Sequence, residues 1–328
     1  LGTITDNDEV KITLHAFTPI TETGGDQTAS FYVEKDIASQ YPIVLLFSSQ
    51  PETTPTAISP DDFTAQNGVT VTLPANSTSN VNVPATTIAG DDIAEATEYF
   101  EGILTFDNKN GQQASFTVGG DQAQATIYDD DIIQFTLEDK IVTETDGMQS
   151  INYVLSSNIE AEEDFILNFS TVENGDAEDG SDYTAQSGTP ITFSAETTTL
   201  NIPVDVLGDN ITEPDETFSG SVTMTIDNGQ QYNFVQSTAT YTIEDDDPAE
   251  LDLTAFTYDE SEVGSTLAQF TIELNRSVQN EITVDFATSD IGTAIGRAVA
   301  GSDYTVVNRS GGTALKFGAG NANTQVVT

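Results

Sequence analysis

The chain has no cysteine, no tryptophan and a single histidine, His15. Without thiols there are no disulfides, no thiolate metal sites and no cysteine nucleophile. One histidine excludes a multi-histidine zinc centre and a Ser-His-Asp triad. Positive charge is also scarce: 8 Lys and Arg stand against 54 Asp and Glu, a net charge of −46. That field repels phosphate backbones and anionic headgroups, which argues against nucleic acid and membrane insertion. No apolar run approaches the ~20 residues of a membrane-spanning helix. Hydrophobic residues make up 37% of the 328, below the usual ~45–50%. This suits two or three thin cores in series better than one large core. The chain starts at Leu1 without a signal peptide, and reads as a segment of something longer.

What the chain does have is repetition. Asp6-Asn7-Asp8, Asp129-Asp130-Asp131 and Asp245-Asp246-Asp247 recur at intervals of about 120 residues. Each closes an alternating run: Thr3–Thr5, Ala125–Tyr128 and Tyr241–Glu244. Three further motifs keep the same phase. Asp91–Phe100 matches Asp209–Phe218, both carrying Glu-x-x-Glu. Asp62-Phe63-Thr64, Asp182-Tyr183-Thr184 and Asp303-Tyr304-Thr305 form another set. A lone Glu follows an early strand at Glu22, Glu144 and Glu260 (or Glu262). Residues 9–131 and 132–247 therefore read as two full repeats. Residues 1–8 read as the end of a preceding repeat, and 248–328 as an incomplete third that stops before its Glu-x-x-Glu and closing triplet.

Within a repeat the hydrophobic period is two, as in Ile151–Leu155, Phe165–Phe169 and Leu200–Val206, which predicts half-buried strands. Thr, Val, Ile, Phe and Tyr fill these runs. Turn formers such as Asp107–Gly111 and Asp227-Asn228-Gly229 separate them. The spacing predicts about seven strands per repeat and an all-β fold of tandem Ig-like antiparallel sandwiches, with no long amphipathic helix.

In a Greek-key sandwich the loops gather at the two ends. The turn at Glu144, the start of the Asp182 strand, the 209–216 loop and the exit at 245–247 should share one end of the second repeat. That would concentrate about eight carboxylates. Two bare carboxylates ~4 Å apart repel by ~4 kcal/mol at an effective dielectric of 20. Such a cluster splays, takes up protons or binds cations. All-oxygen donors favour Ca²⁺ over Mg²⁺, which keeps its water. A single Asp triplet would be no more than a solvated linker; the in-phase set is what points to metal. Other calcium signatures fail. Asp129–Asp131 runs directly into a strand, unlike an EF-hand loop, and Gly119-Gly120-Asp121 is not tandem as a β-roll requires.

The phrases Gly180-Ser181-Asp182-Tyr183-Thr184 and Gly301-Ser302-Asp303-Tyr304-Thr305, the Asp-x-x-x-Glu-x-x-Glu-x-Phe stretches at 91–100 and 209–218, and the closing Asp triplets resemble Calx-β domains over essentially the whole chain. The resemblance implies a seven-stranded Ig-like sandwich with Ca²⁺ at one end, a fold of exchanger regulatory regions, an integrin subunit and large bacterial surface proteins. It further implies the ligands, position by position. In the first repeat they are Glu22, Asp62 (or its neighbour Asp61), Asp91, Glu95, Glu98, Asp129, Asp130 and Asp131, with the Ile93 carbonyl. In the second they are Glu144, Asp182, Asp209, Glu213, Glu216, Asp245, Asp246 and Asp247, with the Ile211 carbonyl. The third offers only Glu260 or Glu262 and Asp303.

Phe63, Tyr183, Tyr304, Phe100 and Phe218 read as core anchors rather than sugar-stacking platforms, and His15 as a packed or surface strand residue. Every carboxylate pair that aligns between repeats recurs in the metal motif, and no unique acid pair sits beside aromatics, so a glycosidase pair is disfavoured and the chain reads as non-enzymatic. The expected role is a calcium-rigidified structural segment of an extracellular, cell-surface adhesin or filament. Its partners would be calcium ions, neighbouring repeats, and a cell-surface or polysaccharide ligand. The alternatives are a calcium-sensing regulatory module and a polysaccharide- or ice-binding module; the latter should show a regular aromatic or Thr ladder, which is absent.

Overall fold

The computed structural model describes residues 2, 7–52, 56–254, 256–259, 263–291 and 297–328. The expected strand at Thr3–Thr5 and the candidates Glu260 and Glu262 lie outside them. Among the described residues the chain is all-β; its one helical element is the 3-10 turn Gly311–Thr313.

In the first repeat the alternation Val10–His15 buries Val10, Ile12 and Leu14 and points the residues between them outward. This strand lies in a four-stranded sheet ordered Ala114–Phe116, Val10–His15, Tyr32–Lys35, Val81–Asn82. The facing sheet has five strands: Ile20–Thr21, Gln122–Tyr128, Glu98–Asn108, Ile43–Pro51 and Val69–Leu73. The two sheets enclose one core that includes Phe31, Phe47, Phe63 and Phe100, all fully buried. The second repeat has the same architecture. Thr199–Leu207, Met148–Ser157, Ile133–Leu137 and Tyr232–Gln236 face Lys140–Thr143, Thr238–Glu244, Glu216–Ile226, Phe165–Val172 and Thr189–Phe193. Its core holds Tyr153, Tyr183, Phe218 and Tyr241.

Among the described residues, nine strands form the two facing sheets of each full repeat, and the first repeat adds a separate two-stranded pairing. The opening strand is split so that it serves both sheets. Its first half pairs antiparallel within one sheet, and its second half runs parallel to the closing strand of the other, Ile20↔Ile127 and Lys140↔Tyr241. In the first repeat the break falls at Pro19, which has no N–H for a ladder. An added short strand, Ala114–Phe116 or Tyr232–Gln236, pairs parallel beside the first half. The repeats differ along one seam. Met148–Ser157 and Thr199–Leu207 pair without interruption, whereas in the first repeat this ladder is broken into Tyr32–Lys35 with Val81–Asn82 and Gln27–Ala29 with Thr86–Ile88.

The third repeat is thinner. Leu251–Thr254, Phe270–Leu274 and Thr324–Val327 form one sheet, and Ile282–Val284 pairs with Leu315–Phe317. Its buried core is Ile272, Leu274, Val278, Leu315, Phe317 and Val327. All four residues of Leu251–Thr254 are exposed.

The anchors behave as expected in two of three copies. Phe63 stacks on Phe100 with centroids 4.1 Å apart, and Tyr183 on Phe218 at 4.0 Å. Each motif aromatic thus locks the Asp-bearing turn onto the Glu-x-x-Glu strand. Tyr304 departs from this. It is partly exposed and donates its hydroxyl to Asp290 at 2.8 Å; among the described residues no ring stacks on it. His15 ends its strand, stacks on Tyr32 and hydrogen-bonds Glu34 at 2.9 Å.

Candidate metal centre

Four segments converge at one end of each full sandwich. The first is the turn after the split opening strand. It is fixed by the Glu22 N–H donating to the Tyr128 carbonyl at 2.9 Å, and by Glu144 donating likewise to Glu244 at 3.0 Å. The second is a tight turn in which the Asp62 and Asp182 N–H groups donate to the Ile58 and Glu178 carbonyls at 2.8 and 3.0 Å. Each carboxylate closes the turn by accepting from the N–H of that same residue. The third is the 91–98 or 209–216 loop, opened by Asp91 accepting from the Ile93 N–H at 2.8 Å and by Asp209 accepting from Ile211 at 2.6 Å. The fourth is the closing Asp triplet.

Glycine brings the first and third segments together. A methyl group at Gly90 would overlap the Thr23 carbonyl, and one at Gly208 the Thr145 carbonyl. These residues follow Glu22 and Glu144 directly, so the two glycines set how close those carboxylates come to the loop.

In the first repeat, Asp62, Glu95 and Glu98 each offer a carboxylate oxygen within 4.8 Å of the others, and all three are buried. Of the Asp61–Asp62 pair, Asp62 is the buried member and Asp61 is exposed. Glu22 and Asp129 are also buried. Asp129 accepts from the Glu95 N–H at 3.0 Å and from Asp131 at 2.9 Å, so it organises the site from within. Asp91 and Asp130 stay exposed; Asp131 and Ile93 are half-buried. In the second repeat, Asp182, Glu213 and Glu216 form the equivalent group within 4.8 Å. Glu144 and Asp247 are also buried, Asp209 and Asp246 are exposed, and Asp245 and Ile211 are half-buried. Asp182, Asp209, Ile211 and Glu213 line a cleft of about 410 Å³.

Burial is the largest cause of the electrostatic strain, and neighbouring carboxylates add to it. Together they push Glu144 and Glu213 up to about 7. Glu95 and Glu98 are driven well above the usual carboxylate range by burial, with Glu22, Asp62 and Glu162 among the charges that add to it. Glu22, Asp62, Asp129 and Glu216 are raised for the same leading reason. Among the described residues no cation is placed against either three-carboxylate group. Glu98 Oε2 and Glu216 Oε2, on side chains 4% and 5% exposed, have no hydrogen-bond partner, nor do Asp245 Oδ1 and Asp247 Oδ2. Buried acceptors in that state are costly. An all-oxygen donor set with spare lone pairs fits a hard divalent cation.

Two contributors were hidden from the sequence comparison. Asp146 joins Asp246 and Asp247 in a further group within 4.8 Å; the first repeat carries Gly24 at its position, so no repeat signal marked it. Arg276 of the third repeat forms an ion pair with Asp247. Asp303 is exposed and accepts from the Val299 N–H at 2.8 Å, with no described acidic partner.

The model of one family, the Calx-beta domain, matches residues 6–131, 129–247 and 249–327. Among solved structures, CBD12 from CALX1.2 is similar over 71% of this chain and 99% of its own, at 16% identity and a TM-score of 0.31. The apo-form Calx CBD1 domain is similar over 36% of this chain and 100% of its own, at 19% identity and a TM-score of 0.30. No curated protein matches the sequence. With three consecutive matches spanning nearly all of its length, the chain belongs to the Calx-beta domain family.

Proposed function

We propose that this chain is a calcium-binding, calcium-rigidified run of structural repeats from a large extracellular adhesin or surface filament. The observation that carries the reading is where the carboxylate clusters lie. The loop that bears Glu95 also inserts Ala94, fully buried, into the core of the second repeat. The Asp129 carbonyl accepts a hydrogen bond from Gln231 of the second repeat at 3.0 Å. A cation gripping this end of the first sandwich therefore also fixes the exit direction of the chain. Without it, adjacent carboxylates repel across a hinge.

Ca²⁺ takes ~6–8 oxygens at ~2.3–2.6 Å. Asp62, Glu95 and Glu98 would form the centre of the first site, with Glu22, Asp91, the Ile93 carbonyl and Asp129–Asp131 around it. Asp182, Glu213 and Glu216 would form the centre of the second, with Glu144, Asp209, the Ile211 carbonyl and Asp245–Asp247 around it. One similar solved structure is described as the calcium binding domain CBD12 of CALX1.1, which supports the choice of ion. Each carboxylate cluster among the described residues belongs to this end of a repeat, which supports a non-catalytic role. An exterior rich in calcium is where such sites stay filled.

Calorimetric titration and thermal melting in calcium and in chelator test the reading. A ligand that binds only the folded state stabilises by ~2.7 kcal/mol at 100-fold excess over Kd. Small-angle scattering should show an extended, well-defined particle in calcium and a broader ensemble in chelator. Equal melting temperatures with no binding heat, or identical scattering curves, would overturn it.

A further inference from the structure

The two junctions between repeats are built on the same backbone register. At the first, Ala94 bridges Ala161 in parallel, and the Glu162 N–H donates to the Ala94 carbonyl at 3.0 Å. At the second, Ile211–Thr212 pairs in parallel with Ser277–Val278, and the Gln279 N–H donates to the Thr212 carbonyl at 2.9 Å. Ala94 and Thr212 occupy the same position, each directly before the first Glu of Glu-x-x-Glu. Ala161 and Val278 are both buried. The next residue of the following repeat is then Glu162 at one junction and Gln279 at the other.

That residue faces the carboxylate cluster of the preceding repeat. Gln279 lines the cleft with Asp182, Asp209 and Glu213. Its amide N–H donates to Glu216 Oε1 at 3.0 Å. Glu162 is half-buried and holds at the first junction the place that Gln279 holds at the second: its N–H is bonded to the Ala94 carbonyl, and Ala94 directly precedes Glu95 of the cluster. The cluster it faces contains the unpartnered Glu98 Oε2.

We propose that Glu162 of the second repeat is a ligand of the cation site of the first, closing that site across the junction. Gln279, in the same place, holds Glu216 by a hydrogen bond and adds no charge to the second site. The inference rests on the reading that the clusters bind calcium. Its consequence is that the junctions are unequal. At the first, the ion bonds to both repeats at once and couples them directly. At the second, the ion is held by one repeat, and the coupling runs through the Gln279–Glu216 hydrogen bond and the Arg276–Asp247 ion pair.

Two reciprocal substitutions test this in the full 328-residue chain: Glu162→Gln and Gln279→Glu. Each installs the residue that the other junction already accommodates, so folding is preserved by precedent, and chelator melting curves check it. Ligand charge count tunes calcium affinity. Glu162→Gln should weaken the first site about tenfold, and Gln279→Glu should strengthen the second by a similar factor. Calcium titration by calorimetry reads both, with Glu95→Ala and Glu213→Ala assigning the sites. The chain has no cysteine, so Val118→Cys and Val235→Cys, both exposed, accept spin labels across the first junction alone. Calcium should narrow their distance distribution in the wild-type background, and Glu162→Gln should abolish the narrowing. Wild-type affinity and narrowing in Glu162→Gln, with binding lost in Glu95→Ala, would overturn the cross-junction ligand while leaving the calcium reading intact. No calcium binding by the unsubstituted chain would overturn both.

Discussion

Glu98 is the sharpest place to perturb the first site. Its side chain is 4% exposed, Oε2 has no partner, and Asp62 and Glu95 lie within 4.8 Å. Burial and those neighbours raise its pKa above neutral from the usual 4.5. In chelator at pH 7 the folded chain must therefore hold a proton there that the unfolded chain has released. The cost is about 1.36 kcal/mol for each pH unit between the unfolded value and the assay pH, or about 3 kcal/mol. Glu98→Gln cannot ionise and removes that cost. Its amide N–H groups have Asp62 and Glu95 as acceptors, while the lost carboxyl contacts give part of the gain back. A net stabilisation of about 1–2 kcal/mol should raise the melting temperature of the first repeat by about 4–10 °C in chelator. In saturating calcium the same substitution deletes a ligand, and the melting temperature should fall below that of the unsubstituted chain. Differential scanning calorimetry in the two buffers reads both values, with the repeats resolved as separate transitions because a multidomain chain is not two-state. A shift of the same sign in both buffers would refute the account of Glu98 as a buried carboxylate awaiting a cation.

Further expectations follow from the same geometry. Raised carboxyl pKa values mean stability that is present at low pH and lost as pH climbs from 4.5 through the folded values, about 7 for Glu144 and Glu213; chelated protein should melt higher at pH 5 than at pH 8, and calcium should suppress that dependence. Phe218→Ala removes a fully buried ring stacked on Tyr183 and should cost ~3–5 kcal/mol in the second-repeat transition alone. Gly208→Ala drives a methyl group into the Thr145 carbonyl and displaces Glu144, so titration should show second-site affinity weakened and the first site untouched. Hydrogen exchange should be fastest in residues 248–328, where, among the described residues, six buried apolar side chains form the core, against the nineteen of the first repeat; protection equal to that of the second repeat would contradict this.

The sandwich was legible because its signals are local and repeated. Strict alternation in Leu200–Val206 fixes which face is buried, and motifs in phase give an alignment of the chain with itself. The same alignment pairs Asp62 with Asp182 and Glu98 with Glu216, and the structure gathers each of them at one end of its sandwich. What escaped was whatever the alignment could not duplicate. Asp146 has glycine as its counterpart. Glu162 and Gln279 lie on the far side of a junction, and differ in the one property, charge, that would have flagged them. The split of the opening strand is likewise not legible: the alternation of Val10–His15 marks a strand, but nothing local says which sheet takes up the chain at Ile20–Thr21. Tyr304 shows the limit of the analogy: its motif is intact, but among the described residues no ring stacks on it to bury it.

The parallel pairing of opening and closing strands bears on how the chain carries tension. Lys140–Thr143 runs beside Tyr241–Glu244, and Ile20–Thr21 beside Ile127–Tyr128. When the two ends of a repeat are pulled apart, these neighbours are dragged in opposite directions along their length. The hydrogen bonds between them are then loaded in shear, and must fail together instead of unzipping one by one. The second repeat opposes the load with four paired positions, the first with only two. In the first repeat Glu22 directly follows the short ladder on one strand, and Asp129 directly follows it on the other. A cation shared by that pair would clamp the weaker joint at the point where the force enters, so calcium and the extension force needed to open the first repeat should rise together.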